Sequence, residues 1–335
     1  MKVIIQMPCL NEEDSLPVSL GDLPRQLEGV NQVEWLIVND GSRDNTAQIA
    51  IAHGVDYIVS HVTNLGLAQA FLSGINACLH FGADIIVNTD ADNQYCAEDI
   101  QKLIDPILRG EAEYVIGTRP VREISHWSPV KKTLQHLGSW VVRKASHTEV
   151  KDAPSGFRAI TRSAAMRLHV FNQYTYTLET VIQAGRMRIP IVSVDIRTNG
   201  FLRESRLISS VSRYLQRSFV TILRSFSTYE PLRFFLTPAM IFTLAAVIIG
   251  IRYLTFYFQG TGAGHVQSLI LAVILAVLSA ALFIVGFVAD LISVNRRLLE
   301  DIDVRLKMLQ LQHQLDRSPH TPVFNHAYLT FQKKP

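Results

Sequence analysis

The chain has 335 residues, with 32 Lys and Arg against 29 Asp and Glu, a formal net charge of +3. Charged residues make up 18% and hydrophobic residues 48%, against roughly 25% charged in an average soluble domain, which excludes a disordered, highly charged protein. The mild basic balance makes no case for nucleic acid, because the basic residues gather beside apolar segments. Cys9, Cys78 and Cys96 are odd in number and widely spaced, so neither a zinc site nor a disulfide framework is indicated. The N-terminal apolar run is too short for a signal peptide and acids follow at once, so the first domain is expected to stay where it is made.

From residue 1 to about 200, short β-branched runs alternate with helical stretches. Strands are predicted at 3–7, 33–38, 57–59, 84–89 and 114–117, with helices from Ser15 and over 45–53, 67–81 and 177–185. Such alternation implies an α/β, Rossmann-like domain with a mostly parallel sheet covered on both faces. Ligands in such sheets bind beyond the carboxyl ends of the strands. Asn11 and Glu12 follow the first strand, Asp40 the second, and Asp90, Ala91 and Asp92 the fourth.

Over 205–227 the period changes. Ile208, Val211, Leu215, Phe219, Ile222 and Phe226 recur every three or four residues, with Arg206, Arg213, Arg217 and Arg224 elsewhere. This spacing predicts a juxtamembrane amphipathic helix with a basic side, suited to an anionic membrane surface. Two uncharged runs come next, 234–251 (extended by aromatics to 258) and 268–289. At 1.5 Å per residue the two uncharged runs span about 27 and 33 Å, enough to cross a hydrocarbon core. Arg224 and Arg233 precede the first and Arg296 and Arg297 follow the second, while the loop 259–267 carries no charge. The positive-inside rule therefore expects a multi-pass protein of the cell (inner) membrane, with both chain ends and the catalytic domain cytoplasmic. The expected division is 1–204, 205–230, 231–290 with helices near 234–258 and 267–289, and a cytoplasmic helix and tail over 291–335. Leu291, Val294, Leu298, Ile302, Leu306 and Leu309 continue a helical stripe, which suits either a short coiled-coil seam in a homo-oligomer or a helix packing back. The last fifteen or so residues read as a loose tail.

The chemistry begins with Asp90 and Asp92. Two carboxylates this close repel unless a cation sits between them, and oxygen ligands suit Mg²⁺ or Mn²⁺; Gln94 adds another oxygen. Asp40 can accept from a nucleobase or ribose if Ser42 or Asp44 caps the following helix instead. Pro8, Asn11 and Glu12 form the first loop, beside the same ligand. Arg119, Arg203 and Arg206 suit a phosphate through their bidentate forks. Asp152 is placed to orient an acceptor group or an Arg, and Arg158 to pair with it. Glu179 reads as a helix-face carboxylate with a smaller chance of facing the site. His126, His136, His147, His169, Trp127 and Trp140 read as ordinary surface or core residues.

In chain order, residues 7–13 (MPCLNEE), 39–42 (NDGS), 90–94 (DADNQ), 152–158 (DAPSGFR), 203–207 (RESRL) and 229–233 (YEPLR) carry a resemblance. Together they are similar to the successive motifs of family 2 glycosyltransferases with the GT-A fold. The extended set resembles the dolichol-phosphate mannose synthases and bacterial polyprenyl-phosphate glycosyltransferases, and covers essentially residues 1–300. The resemblance implies a nucleotide-sugar donor, a polyprenyl (dolichyl or undecaprenyl) phosphate acceptor and inversion of configuration. It implies that Pro8, Asn11, Glu12 and Asp40 hold the donor, with Asp90 and Ala91 beside it. Asp90, Asp92 and Gln94 would handle the metal and diphosphate. Asp92, Asp152 and Arg119 are the expected catalytic residues, and Arg119, Arg158, Arg203 and Arg206 the expected phosphate and acceptor contacts. Two positions depart from the pattern: Asn39 replaces the more usual Asp, and Asn93 stands where an apolar residue is common.

An acceptor phosphate is already anionic, so it needs positioning and neutralisation more than a base. A hydroxyl lipid such as diacylglycerol would instead demand one, making Asp152 or Glu179 essential. A silent sugar-nucleotide-binding scaffold is the reading from another class. A nicotinamide dehydrogenase is disfavoured, because no GxGxxG follows the first strand.

Overall fold

The computed structural model describes residues 1–120, 142–143, 146, 148–170, 176–199, 220, 223, 227, 230–315 and 329–333. Most of the amphipathic segment 205–227, and Arg203, Arg206, His126, His136, His147, Trp127 and Trp140, lie outside the described residues. The chain divides into two compact units, 1–222 with 303–335, and 223–302.

The first unit is built on an eight-stranded sheet. Its elements in chain order are β1 (Lys2–Cys9), α1 (Leu16–Asp22), β2 (Gln32–Asn39), α2 (Thr46–Ala52), β3 (Tyr57–His61), α3 (Leu67–His80) and β4 (Ile85–Asn88). Then come α4 (Ile100–Leu108), β5 (Tyr114–Thr118), β6 (Arg158–Thr161), α5 (Arg162–Arg167), α6 (Thr177–Arg186) and β7 (Ile191–Asp195). The spatial order is β7-β5-β6-β4-β1-β2-β3-β8, where β8 is Leu329–Lys333. Strands β1–β4 are parallel neighbours and β5 pairs with β7 in parallel, while β6 runs antiparallel to both β4 and β5. Val3, Ile4, Ile5, Met7, Leu36, Ile37 and Val38 are all buried. Apolar residues on both faces of β1 and β2 are what a parallel sheet covered by helices requires.

All five predicted strands form. Strands β6 and β7 were not anticipated; β6 has only four residues, RAIT, too short to show a period. The tail is corrected in part: residues 329–333 add β8 antiparallel to β3, with Tyr57 opposite Lys333 and His61 opposite Leu329. The alternation Leu-Thr-Phe-Gln is the β signal that a reading of a loose tail passed over.

β1 lies between β2 and β4. The chain winds from β1 outward through β2 and β3, then returns to add β4 on the other side. The winding therefore reverses between β1 and β4, and a crevice opens beyond their carboxyl ends at such a reversal.

The second unit holds α7 (Pro231–Phe258), joined by a short turn to α8, which runs unbroken over Val266–Leu315 with its last part, from 303, counted in the first unit. The expected second span and the stripe after it are thus one helix. Both helices are long and apolar enough to cross a membrane, with mean hydropathies of 2.3 and 3.0 over their most apolar windows. Met240, Leu244, Ile248, Ile274, Val277 and Ile284 are all exposed, the reverse of a helical hairpin buried in a soluble core. Pro238 sits inside α7. One turn on, Ser279 Oγ donates to the Ala239 carbonyl (2.8 Å) and lies 2.6 Å from Thr243 Oγ1, so polar side chains join the two helices there.

Candidate active site

The crevice has two halves. The first is carried by β1, β2 and β3. Asn11, in the left-handed region at φ 53°, donates its N–H to Ser42 Oγ (3.0 Å) and accepts from the Arg43 N–H through Oδ1 (2.8 Å). Left-handed backbone suits Asn among the non-glycine residues. Glu12 is buried; its N–H donates to Thr46 Oγ1 (2.9 Å), and Oε2 accepts from the Ser15 hydroxyl (2.6 Å). Pro8, half-buried, is the penultimate residue of β1, opposite Val38. The first two loops are therefore bolted together.

Asp40 departs from expectation. Asp44 does hold the start of α2, accepting from the Thr46 N–H at 3.1 Å, but Asp40 is not left free by it. Its carboxylate is 3% exposed. It accepts from the Leu65 and Gly66 N–H groups (both 2.9 Å) and lies 2.7 Å from His61 Nδ1. His61 Nε2 is in turn 2.9 Å from Ser73 Oγ on α3. A carboxylate only accepts, so Nδ1 carries the proton that faces Asp40. The order Asp-His-Ser is that of a hydrolase triad, but here the serine is buried and the chain of bonds ties strand ends to a helix. Gly41 explains how closely this wall packs. At φ +71°, a Cβ there would lie 2.6 Å from the Thr63 and Asn64 backbone.

The second half is carried by β4, β5 and β6. Asp90 and Asp92 are both half-buried at the end of β4. Burial first, and the Asp92 charge second, push the Asp90 carboxyl up to about 7, against the pull of Arg119, a Tyr95 hydrogen bond and Arg158. Burial is the larger cause, and the neighbouring Asp92 charge adds to it. Asp92 Oδ1 accepts from the Gln94 N–H (3.2 Å), and the Ala91 carbonyl accepts from Ser19 Oγ (2.8 Å). Asn93, at φ 52°, donates to Asp22 Oδ2 (2.8 Å), and its carbonyl accepts from Asn199 Nδ2 (3.1 Å). The departure at Asn93 therefore fits backbone geometry that an apolar residue would resist.

Two half-buried acids, with only oxygen donors beside them, fit a hard divalent ion that keeps most of its positions for water and phosphate. Among the described residues no third His, Cys, Asp or Glu joins them to make a complete protein cage.

Behind the pair stands Gly156, where a Cβ would lie 2.9 Å from Asp90 Oδ2 and 3.2 Å from the Tyr176 hydroxyl. Its N–H donates to the Tyr95 hydroxyl (3.0 Å). Asn88 donates to the Gly156 carbonyl (2.8 Å) and the Tyr176 hydroxyl (2.9 Å) while accepting from Gln6 Nε2 (2.9 Å). Gln6, Asn88, Tyr95 and Tyr176 were not anticipated. Polar residues inside apolar strands were the available signal for the first two.

Arg119 and Asp152 form a buried bidentate pair. Nε is 2.7 Å from Oδ2 and Nη2 is 3.1 Å from Oδ1, and the Arg119 N–H adds a longer bond (3.3 Å). Burial opposes the guanidinium charge, yet Asp152, Tyr95 and Asp90 together hold its pKa above the ordinary value. Arg158 is corrected. Expected on phosphate or paired with Asp152, it is fully buried. It donates to the carbonyls of Ser155 (2.6 Å), Ala153 (2.6 Å) and Thr177 (3.0 Å), and to the Thr180 and Tyr114 hydroxyls. Neutral oxygens wrap it on every side, so it braces the floor instead of reaching a ligand. Glu179 is buried on α6.

Residues 4–174 match the family model described as Glycosyl transferase family 2. A UDP-N-acetylglucosamine–dolichyl-phosphate N-acetylglucosaminyltransferase of Methanococcus voltae is 29% identical over 218 residues, covering 58% of this chain and 85% of the relative. An undecaprenyl-phosphate mannosyltransferase of Micrococcus luteus is 27% identical over 206 residues, covering 58% and 83%. Among solved structures, glucosyl-3-phosphoglycerate synthase of Mycobacterium tuberculosis with Mn²⁺, UDP and glucosyl-3-phosphoglycerate has a TM-score of 0.53 at 21% identity, covering 66% of this chain and 79% of that one. The same enzyme crystallises with Mg²⁺ and UDP. At that identity the likeness concerns the fold, which is GT-A. The chain belongs to glycosyl transferase family 2.

Proposed function

We propose that the chain moves one sugar from a nucleotide-sugar donor to a polyprenyl phosphate at the cytoplasmic face of a membrane, inverting the anomeric configuration. The observation that carries this reading is the Arg119–Asp152 pair. Both Asp152 oxygens accept from one guanidinium, so this carboxylate is engaged in holding Arg119 and not in meeting an acceptor hydroxyl. A phosphate acceptor needs no base, whereas a lipid hydroxyl does. The Methanococcus and Micrococcus relatives, named as transferases to dolichyl and undecaprenyl phosphate, support the same acceptor class.

Asp90 and Asp92, with Gln94 beside them, would hold Mg²⁺ or Mn²⁺. When bound, such an ion supplies charge neutralisation for a departing diphosphate. The chain's own residues do the rest. The β1–β2 loops with Pro8, Asn11 and Glu12 seat the nucleoside, and Arg119 lends positive charge near the reacting phosphates. Arg203 and Arg206, outside the described residues, are assigned to the acceptor phosphate from their place in the RESRL motif. Two apolar helices flanked by arginines in sequence support a multi-pass protein with both ends cytoplasmic. Leu298, Leu306 and Leu309 stay exposed on α8, which suits a seam between copies.

The test uses detergent-purified full-length protein with a panel of labelled nucleotide-sugars, Mg²⁺ or Mn²⁺, and either polyprenyl phosphate or diacylglycerol. Transfer to the phosphate alone is expected. Transfer to diacylglycerol that vanishes in Asp152→Asn would overturn the acceptor assignment. Calorimetric donor binding without turnover on any acceptor would favour the silent scaffold.

A further inference from the structure

We infer that His61 is a positioning residue for the donor site, acting through Asp40 on the segment Asn64–Gly66; this rests on the proposed nucleotide-sugar reading and deepens it. Asp40 stands at the nucleoside end of the crevice, one residue from Gly41, which packs onto the Thr63 and Asn64 backbone. Its carboxylate, however, is spent on the Leu65 and Gly66 N–H groups and on His61. The surface offered to a ligand at this end is therefore the segment that Asp40 holds. Asn64 is exposed and Leu65 is 41% exposed, an amide and an apolar side chain beside the loop of Asn11. That combination suits the edge and the face of a nucleobase.

His61 fixes the direction of the Asp40 carboxylate. Its side chain is fully buried at the end of β3, and both ring nitrogens are engaged, one by Asp40 and one by Ser73. Three elements meet at this ring: the end of β2, the end of β3 and the second turn of α3. A freed Asp40 side chain would rotate, and the two N–H groups it holds, at the very start of α3, would lose their acceptor. Leu65 and Asn64 would then no longer present one fixed surface. Asp90 and Asp92 stand in the loop after β4, so the chemical step itself does not pass through this ring.

The isosteres of histidine make the idea testable. His61→Asn keeps a donor at the Nδ1 position and His61→Gln keeps one at the Nε2 position. Calorimetry with a panel of nucleoside diphosphates first finds the base that wild type binds. We expect His61→Gln and His61→Ala to weaken that diphosphate about tenfold, the loss of one charged hydrogen bond. His61→Asn should stay within about threefold of wild type, as should Ser73→Ala. In turnover assays the donor KM should rise in His61→Gln while kcat at saturating donor holds. Thermal melts show which variants are folded; if His61→Gln and His61→Ala do not fold, Asp40→Asn takes their place, expected to weaken the diphosphate about tenfold, and wild-type affinity there overturns the inference. Wild-type affinity in a folded His61→Gln, or an Asn variant as weak as an unbonded one, overturns the inference. Wild type that binds no diphosphate at all would instead overturn the nucleotide-sugar reading.

Discussion

Asp40 and Asp90 follow β2 and β4, the two strands that flank β1, yet the fold treats them oppositely. Asp40 receives two backbone N–H groups and a histidine. Asp90 receives a tyrosine hydroxyl and faces a second carboxylate, and its pKa is driven upward. The first arrangement is self-sufficient and makes a wall. The second is electrostatically unfinished, with a fully wrapped Arg158 cation and the Arg119–Asp152 pair behind it. A satisfied carboxylate marks architecture; an unsatisfied pair marks the place where something charged must arrive.

That contrast can be broken at either end. The largest effect is expected at Asp92. Asp92→Ala should cut transfer by about a hundredfold to a thousandfold and abolish Mn²⁺ binding measured by electron paramagnetic resonance, without lowering the melting temperature. Arg158→Met strands three carbonyls and two hydroxyls, and should cost about 3 kcal/mol in chemical denaturation, because each buried polar group left unpaired carries its own penalty. On the other half, Gly41→Ala should cost about 2 kcal/mol through the positive φ and the Thr63–Asn64 backbone, and should weaken nucleotide while leaving Mn²⁺ affinity intact. Asp152→Asn is expected to slow transfer only about tenfold, the Arg119 fork losing a charged partner. Its rate profile should keep the wild-type acidic limb if no proton is taken there.

A pH trend without added divalent ions tests the same contrast. The Asp90 pKa is higher in the folded chain than in the unfolded one. Its contribution is therefore fully present below about 4, the ordinary carboxylate value, and is lost as pH rises through about 7. Stability should fall across that window and Mn²⁺ should reverse the fall; a melting temperature that rises steadily instead would contradict the unfinished pair.

Much of this edge could be seen in the residues themselves. Apolar runs ending in Asn-Glu, Asn-Asp-Gly or Asp-Ala-Asp announce strands whose polar groups gather at one rim, because a parallel sheet is buried on both faces. What stayed hidden were the partnerships. Nothing in the order of residues shows that the Leu65 and Gly66 N–H groups would consume Asp40, since that bond spans 25 residues. Arg158 reads as one more cation beside a glycine-bearing motif until its depth is seen. Strand β6 was missed because four residues carry no period. Strand β8 was missed because it follows a polar stretch after a long helix.

That last strand has its own consequence. An open sheet margin is a template on which other chains can pair, and residues 329–333 close the margin along Tyr57–His61. Shortening the protein by its final seven residues would uncover that backbone. It would also loosen the very strand from which His61 projects, so self-association and poorer nucleotide retention should emerge together.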